Sequence, residues 1–354
     1  MQNIVAKILL LPFSVLYGLG VSIRNFCYHN GILKGISFDL PVISVGNLTV
    51  GGAGKSPHVE YLIRLLKDYI DVATLSRGYG RKTKGFHFVT PQTDADQVGD
   101  EPLQFKQKYP EVIVTVAENR TFAIPEILSS YPDTQVVLLD DAFQHRSITP
   151  GFNILLTEFN YPFTKDILLP AGRLREWRSA YSRADIIIVS KCPPNIKEAD
   201  RQRFMKDIKP FPHQKVFFSY YEYEAPYAIF DRTKTYDLHD NLDLILVCAI
   251  ARSDYLLAYL EEQIQYAKVL EFTDHHYFNH TDMSTVKSRF EKLSGNEKII
   301  LTTEKDATRL HLHKDFILEH ELPIYVLPIK VAFHGEDGQD FDQAVKDFLL
   351  NFRV

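Results

Sequence analysis

Short runs of β-branched and aliphatic residues alternate with segments of helical periodicity along most of the chain. Between the first two runs, Val59, Leu62 and Leu66 recur at helical spacing, which predicts an amphipathic helix that crosses back over a sheet. Such alternation predicts an α/β fold with a mostly parallel sheet flanked by helices. The strands predicted for this region are Pro41–Val45, Asp71–Leu75, Val112–Val116, Val136–Leu139, Asn153–Leu156 and Asp185–Val189.

The texture of the chain changes in the aromatic and acidic stretch Tyr220–Tyr227, which we interpret as an exposed extended connection. Beyond it, strand-like and helical segments alternate again, which predicts a second, smaller α/β domain. Its predicted strands are Leu242–Ala249, Lys298–Thr302 and Ile324–Pro328, and its predicted helices include Tyr255–Tyr266 and Met283–Leu293. The expected organisation is therefore an N-terminal helix over residues 1–35, a main domain over 36–222 and a smaller domain over 223–354.

The N-terminal segment departs from this globular pattern. Ile4 to Ile23 carries a single charge, Lys7, and the first acidic residue of the chain is Asp39. Twenty helical residues span about 30 Å, so the length would allow a bilayer crossing. Pro12 interrupts the segment and basic residues surround it, which favours a helix lying in the membrane interface. A buried core helix is the competing interpretation.

Composition narrows the class of protein. The chain has 354 residues, of which 45% are hydrophobic and 24% charged, and its net charge of −5 gives no cationic field for nucleic acid. The length favours two domains. Three separated cysteines support neither a disulfide framework nor a zinc ribbon, and they favour a cytoplasmic protein.

A glycine-rich loop carries the clearest chemical signal. The predicted strand at Val42 runs into a glycine cluster that ends in Gly54-Lys55-Ser56 at the start of the predicted helix. Backbone N–H groups in such a loop face phosphate oxygens, the lysine reaches the β- and γ-phosphates, and the hydroxyl holds Mg²⁺. The usual spacing would place glycine at Thr49, so the loop is a variant. Its predicted nucleotide-binding residues are Thr49, Gly51, Gly52, Ala53, Gly54, Lys55 and Ser56.

A phosphate loop needs an acidic residue at the end of another buried strand. Asp140 and Asp141 follow the aliphatic run that begins at Val136, and with Ser56 they are the predicted Mg²⁺ ligands. Thr303-Glu-Lys-Asp306 lacks the spacing of a guanine-recognition motif, which favours ATP over GTP. Asp100 and the pair His275 and His276 are acidic and histidine candidates for proton transfer, but spacing alone does not assign their roles.

Several motifs together carry a resemblance to a known family. In order along the chain, the sequence resembles the tetraacyldisaccharide 4′-kinases, the lipid A kinases of Gram-negative bacteria. The resemblance covers most of the chain, and the combination is far more specific than any single motif. The motifs are Val45–Pro57, Leu75–Arg81, Val98–Pro102, Asp140–Arg146, Leu169–Glu176 and Phe272–His276.

The resemblance implies ATP- and Mg²⁺-dependent phosphorylation of the 4′-hydroxyl of a tetraacylated glucosamine disaccharide 1-phosphate. It also implies a peripheral or monotopic enzyme on the cytoplasmic face of the inner membrane, with no obligate protein partner. Carried over by motif, the catalytic residues would be Asp100 as base, His275 as its partner, and Lys55, which would bind phosphate. His275 belongs to the smaller domain, which would close over the active site. Further residues implied near the substrates are Tyr79, Glu101, Arg120, His145, Arg175 and Glu176.

Two other functions are compatible with a phosphate loop. One is an ATP-driven switch or maturation factor that acts on a protein partner and needs no acceptor base. The other is a kinase for a soluble sugar or nucleoside, which would leave the apolar N-terminus without a purpose.

Overall fold

The strands of the structure belong to two sheets. The computed structural model describes residues 4–250, 252–264, 266–274 and 276–353. The strands of the larger sheet are β1 Val42–Asn47, β2 Val72–Ser76, β3 His87–Phe88, β4 Ile113–Val116, β5 Val136–Asp140, β6 Phe152–Glu158, β7 Ile186–Ser190, β8 Lys215–Tyr223 and β15 Ile329–Phe333. Those of the smaller sheet are β9 Tyr227–Ala228, β10 Asp231–Thr235, β11 Asp243–Cys248, β12 Tyr266–Glu271, β13 Lys298–Thr303 and β14 Ile324–Leu327.

Helices flank both sheets. They are α1 Ile4–His29, α2 Lys55–Leu66, α3 Ala95–Val98, α4 Asp100–Lys108, α5 Arg120–Ser130, α6 Glu198–Ile208, α7 Asp254–Gln263, α8 His280–Glu291, α9 Glu304–Leu310, α10 Lys314–Glu319 and α11 Asp337–Asn351. The predicted strands are all present, with ends shifted by at most two residues. The expected α/β class is confirmed.

The larger sheet positions the glycine-rich loop. In the described part of the chain its order is β15-β8-β7-β6-β1-β5-β2-β4-β3, and it is parallel except for β3 and β15 at its two edges. β1 lies between β5 and β6, with Val45 beside Asp140. Because parallel strands end at the same edge of a sheet, the loop after β1 and the carboxylates after β5 meet there.

The chain leaves the larger sheet and later returns to it. After β8 it forms the smaller sheet, and β15 then pairs antiparallel with β8, with Ile329 beside Tyr223. α11 packs over the larger sheet, where Phe341 and Val345 are buried and Phe348 stacks on Phe152. Residues 329–351, which we expected in the smaller domain, therefore lie on the larger sheet.

The interpretation of Tyr220–Tyr227 as an exposed connection is wrong for its first half. β8 extends to Tyr223, so Tyr220–Tyr223 belong to a strand. Phe217 and Phe218, earlier in the same strand, are buried. The reason is the partner strand β15, which arrives from about a hundred residues later in the chain and hydrogen-bonds to β8. No local pattern predicts a pairing of that range.

Helix α1 is continuous through Pro12 and mostly exposed. Val5–His29 is long and apolar enough to cross a membrane, and 11% of its apolar window is buried inside the protein. The competing interpretation of a buried core helix is therefore wrong.

A buried ionic cluster joins the two sheets. Lys108 on α4 contacts Glu60 on α2 at 2.5 Å and Glu304 on α9 at 2.9 Å. The Tyr109 hydroxyl also donates to Glu60 at 3.0 Å. One ammonium thus faces two carboxylates, and burial, only partly opposed by Lys108, raises the pKa of Glu304.

This raised pKa predicts how stability depends on pH. Glu304 binds a proton more tightly in the folded state, so its contribution to stability is present below its ordinary pKa near 4.5 and is lost as the pH rises through the raised value. In Glu304→Gln the side chain stays neutral, so the free energy of unfolding relative to wild type should increase from pH 4.5 to pH 8. Urea titrations would measure it. The exposed control Glu319→Gln should show no such trend, and an equal trend in both variants would contradict the prediction.

Candidate active site

The loop between β1 and α2 has the backbone shape of a phosphate-binding loop. It contains the predicted residues Thr49, Gly51, Gly52, Ala53 and Gly54. Gly54 adopts a left-handed conformation, with φ of +85°, immediately before helix α2. A Cβ at this position would also collide with the Tyr221 hydroxyl oxygen. Only glycine therefore fits where the loop enters the helix.

Lys55 and Ser56 stand at the first turn of α2, where free N–H groups and the helix dipole favour an anion. The Lys55 ammonium lies 3.4 Å from Asn47 Oδ1 and 3.8 Å from Asp141 Oδ1. The Ser56 hydroxyl lies 3.4 Å from Asp140 Oδ2. The structure therefore brings the two halves of the predicted site together.

The two adjacent carboxylates have opposite electrostatic environments. Burial and the nearby charge of Glu101 raise the pKa of Asp140 to about 7. Burial also opposes ionisation of Asp141, but Lys55 and Arg175 outweigh it and lower that pKa to about 2. Asp141 has a φ of +46°, which turns the backbone after β5. Among the described residues, the Asp141 carboxylate forms ion pairs, with Lys55 and Arg175, and the Asp140 carboxylate does not.

Two arginines hold the turn after β5. Arg175 forms a bidentate pair with Asp141, at 2.8 and 3.1 Å, and donates to Asn47 Oδ1 at 2.5 Å. Arg120, at the start of α5, is buried and donates to the carbonyls of Asp140 and Asp141 at 2.6 and 3.2 Å. The result is a cationic wall on one side of the carboxylates.

Asp100 begins helix α4, and its position depends on the glycine before it. Gly99 has a φ of +90°, and a Cβ there would lie 2.9 Å from the carbonyl oxygen of Tyr79. The Tyr79 loop and the Asp100 turn are therefore in direct contact. Asp100 is buried and forms an ion pair with Arg309, a fully buried residue of α9 beside the smaller sheet.

Arg309 also links Asp100 to the predicted histidine loop. Its guanidinium donates to the carbonyl of His276 at 3.0 Å. Lys305 extends the link, with its ammonium 3.8 Å from Glu101 and 3.4 Å from Asp274. His275 itself lies outside the described residues.

The remaining predicted residues lie around this centre. His145 is near Arg120, and burial together with that charge lowers its pKa to about 4. Glu176 is buried and accepts from Arg183 at 2.8 Å. Tyr79 is 69% exposed.

Sequence reasoning missed three residues that shape the loop. Asn47 accepts hydrogen bonds from both Lys55 and Arg175. Its position in the glycine-rich motif was a sequence signal that could have identified it. Lys191, at the end of β7, donates to the carbonyl of Gly52 at 2.5 Å. His58 bridges the carbonyl of Gly54 and the Ser219 hydroxyl of β8, at 2.7 and 3.0 Å. Lys191 and His58 had no sequence signal, because Lys191 is far along the chain from Gly52, and His58 is far from Ser219.

A parallel sheet whose first strand leads through a glycine-rich loop into a helix, beside a strand that ends in aspartate, defines a P-loop phosphate-binding protein. The family model for tetraacyldisaccharide-1-P 4′-kinase matches residues 6–350. The chain belongs to this family, as the motifs led us to expect.

Relatives and a solved structure agree with this assignment. The tetraacyldisaccharide 4′-kinase of Bacteroides fragilis (strain YCH46) is 43% identical over 95% of this chain and 91% of its own length. That of Flavobacterium johnsoniae is 43% identical over 98% of both chains. The crystal structure of an "apo" form of LpxK from Aquifex aeolicus in complex with ATP has a TM-score of 0.74 and 28% identity, and covers 97% of this chain and 99% of that chain.

The fit of Gly54 against Tyr221 can be tested by a double-mutant cycle. Gly54→Ala should lower the free energy of unfolding by about 2 kcal/mol or more, because it adds backbone strain to a steric collision. Tyr221→Phe removes the colliding hydroxyl, so it should restore about 1 kcal/mol in the Gly54→Ala background. Urea unfolding of the four proteins would measure the cycle.

Gly51→Ala is the matched control for this cycle. Gly51 also has a positive φ, of +108°, but a Cβ there meets no atom within 4 Å. Its cost should therefore be backbone strain alone and should not respond to Tyr221→Phe. Equal responses of both alanine variants would show that the contact with Tyr221 is unimportant.

Proposed function

We propose that this protein is a tetraacyldisaccharide 4′-kinase, which transfers the γ-phosphoryl group of ATP to the 4′-hydroxyl of a tetraacylated glucosamine disaccharide 1-phosphate. The observation that carries the proposal is the convergence of Lys55, Ser56 and Asp140 behind a glycine-rich loop in a chain of this family. Such a site supplies positioning and charge, which is most of what phosphoryl transfer requires.

The cations of the site are suited to bind the negatively charged phosphates of a nucleoside triphosphate. Lys55 is the first residue of α2, directly after the loop, and there it would contact the β- and γ-phosphates. In this structure Lys55 and Arg175 are held by Asp141. Arriving phosphates would compete with this carboxylate for the same two cations.

The residues around Ser56 fit a magnesium ion. Asp140 Oδ1 is buried without a hydrogen-bond partner among the described residues, and its Oδ2 faces the Ser56 hydroxyl. A carboxylate and a hydroxyl, completed by phosphate oxygens and water, are a typical ligand set for nucleotide-bound Mg²⁺. Asp141 is a further candidate ligand from the same turn. When bound, the ion would neutralise charge that develops on the phosphates.

Asp100 is our candidate for the group that accepts the proton of the sugar hydroxyl. It belongs to the same motif as Glu101, whose charge raises the pKa of Asp140, and this supports a place for the motif beside the transferred phosphate. His275 is its proposed partner, and the nearby His276 is joined to Asp100 through Arg309. Asp100 and Arg309 belong to different lobes, one built on each sheet.

We further propose that the two lobes act as separate domains that close over the substrates. Some of the contacts between the lobes lie near the site. Arg252, before α7, lies 3.4 Å from Glu158 at the end of β6, and Lys305 lies 3.8 Å from Glu101. Changes in these contacts would couple closure to the placement of Asp100.

The apolar exterior of α1 suits a lipid substrate. Exposed side chains along this helix include Ile8, Leu9, Phe13, Leu16 and Ile23. We propose that α1 lies on or in the cytoplasmic face of the inner membrane, where acyl chains of the substrate are accessible.

The function is tested by supplying ATP labelled in the γ-phosphate, Mg²⁺ and detergent-dispersed tetraacyldisaccharide 1-phosphate, and resolving the products by thin-layer chromatography. We expect a labelled lipid, and a rate about a hundredfold lower for Lys55→Ala, since a charge that stabilises the transferred group is removed. Label released only as free phosphate would instead favour the ATP-driven switch.

The role of Asp100 is tested by Asp100→Asn. Turnover should fall by about a hundredfold or more because the proton acceptor is lost, whereas ATP affinity, measured by equilibrium dialysis, should change little. Asp96→Asn, four residues earlier in the chain, is the control. Asp96 pairs with the exposed Lys82, so this variant should keep wild-type turnover. Loss of ATP binding with unchanged turnover per bound nucleotide would contradict the assignment.

A further inference from the structure

The exposed helix α1 has one buried polar residue, and it contacts a loop that leads to the active site. Ser14 is 6% exposed. Its hydroxyl donates to the carbonyl of Leu168 and accepts from the N–H of Ala171, both at 3.0 Å. The segment 166–177, which we name the docking loop, is therefore hydrogen-bonded directly to α1.

A second contact lies one turn further along the helix. A Cβ on Gly18 would lie 2.5 Å from Trp177 Cζ2 and 2.7 Å from Leu168 Cδ1. The Trp177 indole N–H points to the carbonyl of Gly18 at 3.2 Å and the hydroxyl of Ser22 at 2.9 Å. The absence of a side chain at Gly18 is what allows α1 and the docking loop to approach so closely.

The docking loop is in turn hydrogen-bonded to the phosphate loop. The N–H of Val50 donates to the carbonyl of Arg173, and the N–H of Arg175 donates to the carbonyl of Leu48, both at 2.7 Å. The Arg175 side chain then holds Asp141. On its other side, the carbonyl of Arg175 accepts from the Tyr17 hydroxyl of α1 at 2.9 Å.

We propose that α1 is a positioning element for the phosphoryl-transfer site as well as a lipid-facing helix. Its positioning residues are Ser14, Tyr17 and Gly18, which act through the docking loop on Arg175 and the phosphate loop. This inference rests on the proposed function, and it deepens it. Because coupling free energies are reciprocal, a lipid surface that holds α1 in place favours the nucleotide-binding geometry, and bound nucleotide favours the docked helix.

The exposed side of α1 is the side that would contact the lipid surface. Val15 and Leu16, next to the buried Ser14, are 66% and 65% exposed. The outer side of the helix is thus apolar where the inner side is bonded to the docking loop. Movement of α1 in a bilayer would be transmitted to Arg175 through contacts about 3 Å long.

The test compares Gly18→Ala with Gly20→Ala in the full chain. Both changes favour helix formation equally, but a Cβ on Gly20 meets nothing within 4 Å. We expect both variants to float with vesicles of phosphatidylethanolamine and phosphatidylglycerol as wild type does. Gly18→Ala should raise both the KM and the Kd for ATP by about tenfold or more, whereas Gly20→Ala should change them less than about twofold.

Ser14→Ala provides a second variant that adds no bulk. It removes both hydrogen bonds to the docking loop, so it should shift the KM for ATP in the same direction without changing the KM for the lipid. If α1 is only an anchor, Gly18→Ala and Ser14→Ala will keep wild-type ATP parameters whenever they keep flotation. That result would overturn the proposal.

Trp177 is the only tryptophan of the chain and reports on the contact directly. ATP binding should change its emission in wild type and in Gly20→Ala, and the change should be reduced in Gly18→Ala. ATP affinity and Trp177 emission need no lipid turnover. A wild type that binds ATP but does not phosphorylate the lipid would refute the proposed function, whereas unaltered ATP affinity and emission in Gly18→Ala would refute the coupling.

Discussion

The site depends on holding two adjacent carboxylates, Asp140 and Asp141, at the end of a buried strand. Burying one unpaired carboxylate is costly, and a second beside it adds repulsion. The structure resolves the problem asymmetrically, since Asp141 is paired with Lys55 and Arg175 while Asp140 keeps a raised pKa. The paired carboxylate keeps the cations in place, and the unpaired one is suited to a metal ion.

Most of the surrounding architecture serves this charge arrangement. The central place of β1 puts the glycine-rich loop beside β5, and the start of α5 brings Arg120 under the backbone turn. Arg175 arrives on a loop that is itself hydrogen-bonded to the phosphate loop. Each cation comes from a different element, so the distances within the site depend on how these elements pack together.

The return of the chain to the larger sheet connects the two lobes by two strands. β8 leads out to the smaller sheet and β15 leads back, and the two strands are paired. These two paired strands fix the point where the smaller lobe is attached to the larger sheet. Contacts such as Asp100 with Arg309 lie elsewhere between the lobes. Rearrangement at those contacts would leave the paired strands intact.

Local sequence determined the parallel α/β pattern, the phosphate loop and the aspartates after β5, because periodicity, glycine spacing and strand ends are encoded in neighbouring residues. Its motif combination also determined the family. Tertiary structure alone decided that Tyr220–Tyr223 is a paired strand, that residues 329–351 lie on the larger sheet, and that Arg309 faces Asp100. These contacts join residues about a hundred or more positions apart. Their energy comes from burial and charge pairing across the folded molecule, which no local pattern records.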